Sequence, residues 1–172
     1  MGIVVTSAVW GLLGTLVGAA ASVGTTWISN AHESGLEKQR AKDLRAETSR
    51  AFQRQTLIDL QDAVHHLVAQ AAFAHMHDAR EARAKGEWGI TPLADEQAEM
   101  LRQAFRKVTI LNQRVANDAL RARVNKFKSD VGEAVNASNQ KDASFLWEYT
   151  AEEIESLSSD IGEVLRSNYE QA

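Results

Sequence analysis

No cysteine occurs among the 172 residues, and proline occurs once, at Pro92. The first absence excludes a disulfide framework, a thiolate zinc site, a cysteine nucleophile and an iron–sulfur cluster held by thiolates. The second leaves little to interrupt a chain otherwise rich in helix formers. Strand signals are also missing, with no sustained apolar–polar alternation and no Asn-Gly or Asp-Gly hairpin. There is no glycine-rich phosphate loop, no Gly-x-Ser-x-Gly elbow and no His-Glu-x-x-His pair. With nothing to supply nucleophile, base and stabiliser together, no enzyme activity is expected, and neither catalytic residues, a cofactor nor a metal is assigned. Apolar residues make up 44% of the chain and charged residues 24%, so a packed core is possible and compositional disorder is excluded.

A different absence marks the N-terminal stretch: residues 3–29 carry no charged side chain, and no Lys or Arg precedes Lys38. A helix of that length spans roughly 40 Å, against the ~30 Å of a bilayer's hydrocarbon core. Trp10 and Trp27 would sit about 25 Å apart along it, near the spacing of the two interfacial aromatic belts. A cleaved signal peptide would need a basic leading region that is lacking, and a soluble core helix would keep a polar face. Residues 1–30 are therefore expected to be a transmembrane anchor in contact with membrane lipid. Lys38, Arg40, Lys42, Arg45 and Arg50 follow it closely. By the positive-inside rule the N-terminus lies outside the inner (cytoplasmic) membrane and the remainder in the cytoplasm. Gly14 and Gly18, and Ala20 and Gly24, form two small-xxx-small pairs that would let two such helices approach closely, so a homo-oligomer is expected.

Residues 31–54 read as a charged helical stalk. From residue 55 onwards the pattern is that of an antiparallel bundle or coiled coil of three helices. Leu57, Leu60, Val64, Leu67, Ala71 and Ala74 form a heptad seam. The first helix should stop at Gly86. A second long helix is expected from Thr91 as N-cap with Pro92 behind it, its core running through Leu101, Val108, Leu111 and Val115, then Leu120, Val124, Phe127 and Val131. After a turn at 136–142, a third helix turns Leu146, Ile154, Leu157, Ile161 and Leu165 inward, with Thr150 and Glu153 as a capping box where it would begin or break. The fold class is thus all-α.

Charge is unevenly distributed. Leu101–Lys128 holds eight basic residues and one acid, while Asp142–Ala172 holds eight acids and one Arg. Lys107, Arg114, Arg121 and Lys128 recur every seven residues as a basic stripe. The expected partner is the acidic third helix folded back beside it, in preference to an external polyanion, because no aromatic interleaving or nucleic-acid motif accompanies the stripe. His65, His66, His75 and His77, with Asp62 and Asp78 nearby, have no pair at the i, i+4 spacing of a helical zinc site and are read as ordinary bundle histidines. Trp88 and Trp147 lie near the connections and should close the bundle ends.

The run "LLGTLVGAAASVGTTWISNAHE" followed by "EKQRAKDLRAETSRAFQR" resembles a loose class of uncharacterised bacterial proteins, frequent in actinobacteria. In these a Gly/Ala/Thr-rich anchor leads into an Arg-rich helix and a small helical bundle. The resemblance covers residues 10–75, is architectural, and implies a membrane address and no activity. The function expected is that of a membrane-anchored interaction or scaffold protein with an unnamed protein partner. The alternative is a homo-oligomeric pore or holin-like effector lined by Thr6, Ser7, Thr15, Ser22, Thr25 and Thr26.

Overall fold

The computed structural model describes the backbone of residues 3–170 and the side chains of residues 36–170. The described residues form four α-helices and no strand: α1 (Ile3–Lys85), α2 (Asp95–Arg114), α3 (Asp118–Val135) and α4 (Gln140–Glu170). By packing, the chain divides into Met1–Thr48 and Ser49–Ala172. Within the first unit Gln39 Nε2 donates to Asp43 Oδ1 at 3.0 Å and Thr48 Oγ1 to the Leu44 carbonyl at 2.8 Å, both one turn back or forward along the helix. Leu36 and Leu44 are exposed.

The second unit is an antiparallel four-helix bundle. Its core joins Leu57, Leu60, Val64, Leu67 and Ala71 of α1 to Val108 of α2, Val124 and Val131 of α3, and Leu157 and Ile161 of α4. The heptad seam read in α1 is buried along its whole length, from Leu57 to Ala74. Cross-helix pairs show the direction of each neighbour. On α2 and α3, Asn112 meets Asn125 and Thr109 meets Lys128, at 3.0 and 3.1 Å. One turn further along, the Phe105 ring lies 3.9 Å from where a Cβ at Gly132 would stand. Each step back along α2 is a step forward along α3. On α1 and α4 the pairs Arg54–Asn168, His65–Ser158 and His75–Trp147 run the same way.

The expected three helices are therefore four. The span read as one long helix breaks at Val115–Asn117, where Val115 is extended (φ −68°, ψ 127°) and the Asn117 side chain accepts from Leu120 N at 2.9 Å as the N-cap of α3. The cause is visible in the apolar pattern. Val115 to Leu120 is five residues, about 500° of helix, so in a straight helix Leu120 would point roughly 140° away from the Val115 stripe. A tight hairpin lets both seams face one core. Gln53 holds the connection from α1: its Nε2 donates to the Arg114 carbonyl at 2.9 Å and its Oε1 accepts from Ala116 N at 2.8 Å. Arg54 lies over the Tyr169 ring, 5.1 Å from its centroid. Residues 49–54, read from sequence as stalk, thus pack with the bundle unit.

Other local expectations divide. α1 ends at Lys85, and Gly86 (φ +79°) donates its N–H to the Ala82 carbonyl, the left-handed stop that glycine adopts without strain. Thr91 does not cap α2, which starts at Asp95 after an extended Ala94 with no side-chain cap. Thr91 instead donates to Glu81 Oε2 at 2.9 Å and accepts from Lys85 Nζ at 2.8 Å, tying the connection to α1. Asn139 starts α4, its Oδ1 accepting from Asp142 N at 3.0 Å. Thr150 neither begins nor breaks that helix; it is buried mid-helix and donates to the Leu146 carbonyl at 2.8 Å.

Candidate functional site

The break between α2 and α3 divides the basic stripe. Lys107 and Arg114 lie on α2, Arg121 and Lys128 on α3. Arg121 staples the hairpin: it donates to the Val115 carbonyl at 2.6 Å and the Ala116 carbonyl at 3.2 Å, and pairs with Asp118. Lys128 donates to Thr109 Oγ1. Neither pairs with α4. The basic-to-acidic link between α3 and α4 is made by residues the seven-residue count passed over. Arg123 pairs with Asp160, approaches Glu153 at 3.6 Å and donates to Ser156 Oγ at 2.6 Å. Lys126 donates to the Tyr149 hydroxyl at 3.1 Å, lies 5.0 Å from its ring centroid, and pairs with Asp130 at 2.7 Å. Those bonds raise its pKa, the Asp130 bond most. A rotation of about 200° separates Arg121 from Arg123 on a helix, which is why the partner could not be taken from spacing alone.

Lys107 and Arg114 instead open onto a groove of about 470 Å³ between α1 and α2, lined also by Asp59, Gln103, Arg106, Ile110 and Leu111. Neither has an ion-pair partner within the chain among the described residues. On α4, Glu148, Glu152, Glu155 and Glu163 are exposed and, among the described residues, likewise unpaired. A second, polar groove of about 580 Å³ lies over the α2–α3 hairpin, bounded by Thr109, Asn112, Gln113, Arg121, Asn125 and Lys128. Asn112 is 3% exposed; its Nδ2 donates to the Arg121 carbonyl and to Asn125 Oδ1, each at 3.0 Å, while its Oδ1 has no hydrogen-bond partner.

Trp88 and Trp147 meet at one end of the bundle, around His75. The imidazole stacks on Trp147 (centroids 5.6 Å, planes 15° apart) and tilts against Trp88 (5.4 Å, 57°). Trp88 Nε1 donates to the Ala137 carbonyl at 3.1 Å, joining the α1–α2 and α3–α4 connections. His75 Nδ1 and His77 Nε2 are buried without partners. Burial lowers the His75 pKa, against the pull of Asp78, and burial raises that of Asp78, against His77 and His75. Glu81 beside them is held low by its hydrogen bonds from Lys85 and Thr91. His65 reaches Ser158 Oγ at 3.3 Å. Among the described residues no group of three or more His, Asp or Glu could hold a metal ion.

Trp10, Trp27, Gly14, Gly18, Ala20 and Gly24 lie outside the residues whose side chains are described. Among the described residues no helix is long and apolar enough to cross a membrane. Comparison with known proteins finds no matching family model, curated protein or solved structure.

Proposed function

We propose that the chain is a membrane-tethered, non-enzymatic interaction protein: residues 3–29 anchor it in the inner membrane, and the four-helix bundle is displayed in the cytoplasm as a scaffold for protein partners. The observation that carries this reading is the uncharged run of residues 3–29, flanked on its C-terminal side alone by Lys38, Arg40, Lys42, Arg45 and Arg50. The architectural resemblance of residues 10–75 to anchored bacterial bundle proteins points the same way. Packing of anchors through Gly14, Gly18, Ala20 and Gly24 would bring several bundles together in one plane. The bundle supports a role in binding more than chemistry: its unpaired charges lie on exposed faces of α2 and α4, and its grooves are open to solvent.

The test is membrane fractionation of the intact chain with a C-terminal reporter that is active only in the periplasm. The expected result is resistance to carbonate extraction and a silent reporter. Recovery of the unprocessed chain in the soluble fraction would overturn the anchor, and a strong reporter signal the orientation. Ion conductance in liposomes containing the purified chain would favour the pore reading instead.

A further inference from the structure

The cross-helix contacts run α1 to α2, α2 to α3, α3 to α4 and α4 to α1, which sets α2 and α4 diagonally across the bundle. Their outward faces carry opposite net charge: the α2 face is basic over Arg106–Arg114, one turn and more beyond Glu99, which is paired with Arg102, and the α4 face is acidic between Lys141 and Arg166, which stand at its two ends. On α2 the outer row runs through Arg106, Lys107 and Arg114 around Ile110, which is 40% exposed. On α4 it runs through Glu148, Glu152, Glu155 and Glu163, beginning at Phe145, which is 70% exposed. Intervals of three, four, three and eight from Phe145 to Glu163 keep these residues on one side of the helix. The acidic charges extend over about 22 Å and the basic ones over about 12 Å. None forms an ion pair inside the chain among the described residues. The acids that α3 needs, Asp160 and Glu153, are other residues on another side of α4.

We infer that the occupant of the α2 groove is the α4 face of a second copy of this chain. The faces complement each other: on one, three unpaired cations surround an apolar floor of Ile110 and Leu111, with Asp59 of α1, which accepts from Gln55, as the one carboxylate in the lining; on the other, unpaired carboxylates stand beside an exposed phenyl ring. Complementary charge steers and orients such an encounter, and the apolar pair supplies a contact that salt does not screen. Because the two faces are different and lie across the bundle from each other, the contact is head-to-tail. Each copy keeps one free face of each sign, so assembly continues into a ring or an open row. This goes beyond the anchor reading and does not depend on it, since no residue before Thr48 takes part.

The chain has no cysteine, which allows a specific test in the intact protein in mild detergent. Gln103→Cys and Ser159→Cys place one thiol on each face. The chain carrying both should give a ladder of disulfide-linked oligomers on mild oxidation, whereas either single variant should give none. Reversing Arg106, Lys107 and Arg114 to Glu, or Glu148, Glu152, Glu155 and Glu163 to Lys, should weaken association about tenfold or more at low salt. Mixing the two reversed proteins should restore it, because each then offers the other a complementary face. The cysteine ladder keeps the native charges and reads the contact even if a reversed variant folds poorly. Absence of the ladder in the double-cysteine chain would overturn the inference. So would a disulfide-linked dimer of the chain carrying Gln103→Cys alone, which requires a symmetric contact. Loss of binding to anionic lipid vesicles by the α2 variant, with self-association unchanged, would assign the basic face to the membrane surface instead. Gly14→Leu and Gly18→Leu test the anchor contact separately and should leave the ladder in place.

Discussion

Gln53 offers a sharp test of how the α2–α3 hairpin is held. Its amide satisfies a carbonyl at the end of α2 and an N–H in the connector, reaching across 61 and 63 residues of sequence. Gln53→Ala removes both bonds at once. Each is worth a net ~0.5–1.5 kcal/mol. The freed Arg114 carbonyl and Ala116 N–H lie on exposed residues where water can replace the lost partner, so the lower half of the sum applies, about 1–2 kcal/mol. For a domain of this size that lowers Tm by roughly 3–8 °C. Gln53→Glu keeps the acceptor toward Ala116 N but turns a carboxylate toward the Arg114 carbonyl, and should lose a comparable amount. Gln55→Ala is the control, because among the described residues the Gln55 side chain bonds Asp59 one turn along its own helix, at 2.8 Å, and reaches no other helix; it should cost a few tenths of a kcal/mol. Urea and thermal unfolding followed by circular dichroism measure all three. Equal stabilities for Gln53→Ala and Gln55→Ala would refute the stapling of the hairpin by α1.

Three further outcomes follow from the charged and titratable groups. A double-mutant cycle on Arg123 and Asp160, whose side chains are 36% and 34% exposed, should give a coupling of only about 0.5–1 kcal/mol after solvent screening; Lys107→Ala and Arg114→Ala should leave stability within about 0.5 kcal/mol, and coupling between Lys107 and an α4 acid within one chain would contradict the assignment of Arg123 as the link. His75 has its folded pKa lowered by burial, so below the ordinary value of 6.5 the unfolded chain takes up a proton that the folded chain refuses. Stability contributed by neutral His75 is therefore present above that pH and falls as pH drops through it. Asp78, raised by burial, contributes with the opposite sign, in the range between its ordinary 3.8 and its raised value. His75→Phe should flatten the fall in Tm just below pH 6.5, and an unchanged slope would exclude His75 as its source.

Much of the helical framework is readable along the chain because its causes are local. A 3-4 apolar rhythm depends only on helical pitch, which is why the seam from Leu57 to Ala74 is legible as it is buried. Gly86 stops α1 through its own left-handed backbone, a property of the residue type. The same local reasoning misplaces Thr91. A hydroxyl beside proline fits an N-cap, but Lys85 and Glu81 offer it charge-assisted partners that only the folded connection brings near. The hairpin at 115–117 is the largest omission, although the five-residue slip in the core rhythm and the Asn117-Asp118 dipeptide are both present as signals.

By itself, then, the amino-acid sequence determined that the described chain is helical, which residues are apolar seam, and that charge is separated along the length, since pitch, capping and composition act within a few residues. Only the tertiary structure decided the number of helices and the destination of each charge. Breaking a helix at Val115 is favourable only when Gln53 and Arg121 satisfy the backbone groups it frees, and Gln53 arrives from a distant part of the chain. Which basic residue meets α4 depends on the rotation of α3 about its own axis, about 100° per residue. That rotation is set by burying Leu120, Val124, Phe127 and Val131 together, and it turns Arg123 to Asp160; on α2, burying Leu101, Ala104, Val108 and Leu111 in the same way leaves Lys107 and Arg114 on the outer side.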